Sequence, residues 1–169
     1  MMARKTVFTL TVNGAERQVL ARPDATLLDL LRDDLALRAA KRGCNQGVCG
    51  ACTVMIDGLP ARSCLTMAGA AEGRAVQTLE GFAADPAMQA LQEAMITSGG
   101  VQCGFCTAGV LITARNLVAE TPRPSGPEIR AALSGNLCRC TGYTRIVEAV
   151  AQAAQDLAAQ DLAAEELAP

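Results

Sequence analysis

The chain has 169 residues, 50% of them hydrophobic and 19% charged, a globular composition of the size of one ordinary domain or two small ones. A net charge of -2 and only four aromatic side chains (Phe8, Phe82, Phe105 and Tyr143) supply neither the basic field nor the stacking platform that a nucleic-acid partner requires. Core packing has to rest on Leu, Val, Ile, Met and Ala, and small cores of that kind usually carry a staple.

No run approaches the roughly 18 apolar residues of a membrane span. The basic start, Met1 to Lys5, leads into alternating residues instead of the apolar core of a signal peptide. The cytoplasm is the expected compartment. In that reducing setting eight cysteines read as metal ligands, not as disulfides. Cys138 and Cys140, one residue apart, would also make a strained disulfide.

In chain order, Thr6 to Val12 alternates as a strand with Phe8, Leu10 and Val12 on one face, and Asn13-Gly14 predicts a type I′ hairpin into a second strand near Arg17 to Ala21. Asp24 or Thr26 can cap a helix carrying Leu27, Leu28, Leu31 and Leu35. A segment of small residues follows from Arg42 to Cys52. Thr53 to Ile56, Asp57-Gly58 and Leu59 onward read as a hairpin that carries Cys64 back toward that loop, and a short strand is expected over Ala75 to Leu79.

The pattern then turns helical. Asp85-Pro86 opens a helix with Met88, Leu91, Met95 and Ile96 on one side, ending at Ser98-Gly99-Gly100. Val110, Leu111, Ala114, Leu117 and Val118 stripe a second helix, stopped by Thr121-Pro122. Ser125 to Glu128 starts a third with Ile129, Ala132 and Leu133 inward and Gly135 as its C-cap. A last helix runs through Ile146, Val147, Val150 and Leu157. Four helices with two cysteine-bearing interruptions form a bundle around a metal centre. A five-residue repeat in the tail turns Leu157, Leu162 and Leu167 away from one another, which predicts a solvated, fraying extension.

The cysteines fall into two groups of four. Cys44, Cys49 and Cys52 have the C-x4-C-x2-C spacing of plant-type ferredoxins, with Cys64 as a remote fourth ligand, which favours a two-iron cluster over zinc. Cys103 and Cys106 form a CxxC pair completed by Cys138 and Cys140. That second set fits zinc nearly as well on spacing alone. No histidine is present, which rules out Rieske-type ligation.

Gly43-Cys44 through Thr53, Gln102-Cys103-Gly104-Phe105-Cys106 and Gly135-Asn136-Leu137-Cys138-Arg139-Cys140-Thr141-Gly142-Tyr143 resemble the iron-sulfur subunit of molybdenum hydroxylases, the xanthine dehydrogenase and aldehyde oxidoreductase family. The resemblance covers about Lys5 to Ala154. It departs at Ala108, where the family usually has proline. It implies an α+β chain: a β-grasp, plant-ferredoxin-like [2Fe-2S] domain over 1–80, an all-helical four-helix [2Fe-2S] domain over 81–158, and an acidic tail over 159–169.

The resemblance further implies the small subunit of a three-subunit oxidoreductase. Cys103, Cys106, Cys138 and Cys140 would hold the cluster nearer the molybdenum, and Cys44, Cys49, Cys52 and Cys64 the one nearer the flavin. Gln102 would hydrogen-bond the molybdopterin cofactor of a large subunit, expected in its cytosine dinucleotide form, and Cys140 would bring its sulfur toward the pterin. FAD would sit on a medium subunit, in a dimer of heterotrimers. Arg42 and Arg139 read equally as tuners of cluster potential and as surface or ion-paired charges. The competing readings are a free-standing ferredoxin-like carrier and a zinc-stapled interaction protein.

Overall fold

The computed structural model describes residues 4–166; of these, the side chains of 161 and 164–166 are outside the description. The basic start therefore lies partly, and Leu167 of the tail repeat wholly, beyond the described residues. Strands β1 (Thr6–Val12), β2 (Ala15–Ala21), β3 (Thr53–Ile56), β4 (Leu59–Arg62) and β5 (Ala75–Gln77) form one mixed sheet in the order β2-β1-β5-β3-β4. The β1/β2 and β3/β4 pairs are antiparallel hairpins, and β5 inserts between them, parallel to β1. Both turns have the positive φ at two successive residues that a type I′ turn demands: Asn13 (52°) with Gly14 (78°), and Asp57 (49°) with Gly58 (82°).

Phe8, Leu10 and Val12 face inward as their alternation requires, joined by Val19, Val54, Ile56 and Val76. A short helix, α1 (Leu27–Asp29), covers them. Thr26, not Asp24, is its cap: Thr26 and Asp29 exchange backbone and side-chain hydrogen bonds as a capping box. Asp24 instead pairs with Arg22 on the surface. The expected regular helix through Leu35 is not formed. From Leu30 to Asp34 the chain widens into a π-helix, with the Leu35 amide bonded to the Leu30 carbonyl. The wider turn lets Leu27, Leu28, Leu30 and Leu31 all be buried, more than one face of a 3.6-residue helix would allow.

The second half is built from α2 (Pro86–Thr97), α3 (Thr107–Glu120), α4 (Gly126–Ala132) and α5 (Thr144–Glu166), packed α2 on α3 and α5, and α4 on α3 and α5. Met88, Leu91, Met95, Val110, Ile112, Ile129, Leu133, Ile146 and Val150 form its core. Ile96 does not join them. It is 69% exposed, because the buried stripe of α2 runs through 88, 91, 94 and 95, and position 96 turns about 100° past Met95. Helix α3 is buried on more than one side, so Ile112, outside the stripe read from the sequence, is buried as well. It lies between the other helices and the sheet, touching β3 and β4. Strand β3 is correspondingly buried on both faces, with Met55 in the helical core and Val54 and Ile56 in the other.

Two further expectations are corrected. Strand β5 ends at Gln77, and Leu79–Phe82 is a 3-10 turn that buries Phe82. Gly135 is not a left-handed cap. Helix α4 closes at Leu133 with right-handed geometry, and Gly135 is small because an added Cβ would stand 2.6 Å from the Arg62 guanidinium. The last helix stays helical through Glu166, while Ala158 is the last buried side chain among the described residues and Leu162 is exposed.

Candidate metal centres

The loop from Arg42 to Cys52 is tied by charge to the end of α1 and to the π-helix that follows it. The Arg42 guanidinium pairs with Asp29 and Asp33, and Arg32 donates to the carbonyls of Arg38 and Ala40 just ahead of the loop. Arg42 is therefore ion-paired at the loop's entrance, although it is exposed, as Arg139 is. Asn45 (φ 54°), Gly47 (φ 74°) and Gly50 (φ 69°) turn the backbone so that amides face sulfur. The N–H groups of Gln46 and Cys49 both point at the Cys44 sulfur from 3.4 Å, and they bring its pKa down to about 6. Cys52 and Cys64 are buried at the mouth of the β3/β4 hairpin. Burial, then the neighbouring Cys52 thiol, pushes Cys64 up to about 11.

The second group is assembled by the start of α3 and the loop before α5. Cys106 is buried and Cys138 half-buried; Cys103 and Cys140 are exposed, with their sulfurs 3.4 Å apart. Burial, then Cys138, raises Cys106 to about 12. At Cys103 the amide of Phe105 is the main influence and pulls the pKa down. At Cys138 burial opposes the thiolate, but the Thr141 hydroxyl and the nearby amides outweigh it. Ala108 is buried in the first turn of α3, a position that accepts alanine or proline. Gln102 is exposed beside Cys103, on a rim with Val101, Phe105 and Leu137.

Each group thus has a buried side and an open side. The donor set fits two-iron centres held by thiolates: all eight cysteines are free, they gather in the two expected groups, and loop amides are aimed at sulfur. Gly43 supports the fit, since an added Cβ would lie 2.8 Å from the Cys49 sulfur. Among the described residues, no three His, Cys, Asp or Glu side chains gather at the spacing of a single ion.

What sequence reasoning missed is the join between the groups. The Leu137 amide donates to the Cys49 carbonyl at 2.9 Å, so a residue adjoining Cys138 bonds directly to one of the first loop. Beside it lies a buried polar knot. Asn136, 1% exposed, reaches the Gly50 carbonyl and the Thr53 hydroxyl and accepts from Thr113; Arg62 donates to Thr53 at 2.6 Å and to the Gly135 carbonyl at 2.8 Å. Gly50 and Gly109 are glycines here because a Cβ on either would strike the backbone of the opposing loop or helix. Nothing in the sequence pairs Arg62 with Gly135.

Comparison with known proteins agrees with this geometry. Residues 10–79 match the family described as a 2Fe-2S iron-sulfur cluster binding domain, and residues 78–151 the [2Fe-2S] binding domain family. The nicotinate dehydrogenase small FeS subunit of Eubacterium barkeri is 45% identical over 91% of this chain and 98% of its own length. The nicotine 6-hydroxylase small subunit of Paenarthrobacter nicotinovorans is 51% identical over 84% of this chain and 86% of its own. Among solved structures, a chain of quinoline 2-oxidoreductase from Pseudomonas putida 86 superposes with a TM-score of 0.87 at 45% identity, covering 94% of this chain and 98% of that one. Two cysteine groups on an α+β scaffold, each half matching a [2Fe-2S] family, identify the chain as a member of the iron-sulfur small-subunit family of molybdenum hydroxylases.

Proposed function

We propose that this chain is the electron-transfer subunit of a heterotrimeric molybdenum-flavin oxidoreductase of the cytoplasm, in a dimer of heterotrimers. Cys44, Cys49, Cys52 and Cys64 hold one [2Fe-2S] cluster, and Cys103, Cys106, Cys138 and Cys140 hold the other. When bound, each cluster accepts and passes one electron at a time. The observation that carries the reading is the direct bond between the two cysteine loops, from the Leu137 amide to the Cys49 carbonyl, which joins both groups within one fold.

The protein's own groups supply the surroundings. Amides of Gln46 and Cys49 stabilise negative charge on Cys44, and burial around Cys52, Cys64 and Cys106 keeps water from the inner sulfurs. The open edge at Cys103 and Cys140 faces the molybdopterin of the large subunit, where the Gln102 amide offers both a donor and an acceptor. The apolar rim of Val101, Phe105 and Leu137 suits burial in that interface. The first group then leads to FAD on the medium subunit. Substrate oxidation belongs to the large subunit, consistent with relatives of this chain named for enzymes of nicotinate, caffeine and xanthine alike.

Purification from the native host tests this reading. A coloured complex with iron, acid-labile sulfide, molybdenum and FAD chains is expected. A colourless zinc protein would refute it, and an iron-sulfur protein that never associates with those chains would make it a free-standing carrier.

A further inference from the structure

The turn from Cys138 to Tyr143 is closed by hydrogen bonds that bring the Thr141 hydroxyl to the Cys138 sulfur. The Tyr143 amide donates to the Thr141 hydroxyl oxygen at 3.2 Å, and that oxygen lies 3.2 Å from the Cys138 sulfur. With Cys138 as a metal-bound thiolate, which has no proton to give, the hydroxyl would be the donor and its hydrogen would point at sulfur. The Cys138 amide is engaged elsewhere, donating to the Tyr143 phenol oxygen at 2.8 Å, while the backbone amides of Cys140 and Thr141 assist the hydroxyl in favouring charge on the sulfur. Tyr143 is held in a left-handed conformation, φ 70°, with its amide turned to the Thr141 oxygen. Among the described residues no other cysteine sulfur has a hydroxyl partner: Cys44 has amides, and Cys140 has Cys103.

We propose that Thr141 raises the reduction potential of the centre held by Cys103, Cys106, Cys138 and Cys140, by donating a hydrogen bond to Cys138 that strengthens when an electron arrives. This rests on the cluster assignment proposed above. Reduction adds one electron and one negative charge, with no bond made or broken and the hydroxyl proton remaining on oxygen. A donor on a thiolate therefore stabilises the reduced form more than the oxidised one. The effect is one-sided. Cys138 belongs to the buried side with Cys106, and its neighbour Leu137 bonds to the first cysteine loop. Thr141 thus touches the more buried side of its cysteine group and not the exposed Cys103/Cys140 edge.

The test is an EPR-monitored redox titration of the intact complex carrying Thr141→Val or Thr141→Ser. Thr141→Val should keep about four irons per chain. It should weaken reduction of one signal by about five- to tenfold, roughly 40–60 mV at 59 mV per decade, and leave the other signal in place. Thr141→Ser keeps the hydroxyl and should titrate with the wild type. Unchanged midpoints in fully loaded Thr141→Val would overturn the proposal, as would an equal shift in Thr141→Ser, which would assign the effect to the methyl group. Should Thr141→Val lose iron, Thr141→Ala is titrated in its place; iron loss in both with Thr141→Ser intact would make Thr141 a builder of the site and contradict tuning. A wild-type complex without two distinct signals would instead refute the underlying cluster assignment.

Discussion

At the scale of single residues, the position expected to meet another subunit shares its exposure with two of the proposed ligands, Cys103 and Cys140. Gln102 stands on the open rim while Cys106 and Cys64 are sealed inside. Gln102→Ala should leave iron content unchanged and slow substrate-driven reduction of the clusters about tenfold, since one hydrogen bond to a cofactor contributes on the order of 1–2 kcal/mol; stopped-flow reduction at wild-type rates would remove Gln102 from the site. Cys103→Ser, in contrast, should cost one cluster, read as roughly half the iron and sulfide. The two cysteine groups were legible because their spacing is local in the sequence, whereas the role of Gln102 comes from the family resemblance alone and stands as a proposal. Arg62, Thr113 and Asn136 were not, because their meaning comes from bonds between positions more than twenty residues apart.

Elements bring a different kind of constraint, the close approach of backbones. Helix α3 presses Gly109 onto the Gly50 carbonyl, so Gly109→Ala should destabilise by roughly 2–3 kcal/mol although alanine is the better helix former. A lowered Tm together with faster loss of iron from the first group would be the signature; a stabilised variant would mean that the contact is looser than described. Helix α2 is held at its start by Asp85, which caps the Met88 amide at 2.7 Å and pairs with Arg115 at 3.0 Å. Burial works to raise the Asp85 carboxyl, but Arg115 and the Met88 amide outweigh it and hold it below the usual carboxylate range.

A depressed pKa contributes stability that is complete above the unfolded value, about 3.9, and is lost as pH falls through the folded one. Asp85→Asn keeps a capping side chain but loses the charge. It should be less stable than the wild type by about 1 kcal/mol at neutral pH, and the gap in Tm should close below about pH 4. A gap independent of pH would locate the effect in packing. Strand pairing, turns and the α2 cap were legible because each depends on a few adjacent residues. The π-helix and the burial of Ile112 were not, since they answer to what packs against α1 and α3 from elsewhere in the chain.

For the whole molecule, the two hydrophobic cores meet where β3 is buried on both faces and where Asn136, Arg62 and Thr53 interlock. In the function proposed above, that junction makes two separate cysteine groups into one conduit with an open end at Cys103 and Cys140. The sequence pattern marked both groups, but their mutual arrangement depends on the fold of both halves. The most direct test is EPR of the dithionite-reduced complex with spin counting and iron analysis. Two distinguishable two-iron signals are expected, together about two spins and about four irons per chain. A single signal, or zinc in place of iron at Cys103, Cys106, Cys138 and Cys140, would contradict the two-cluster relay.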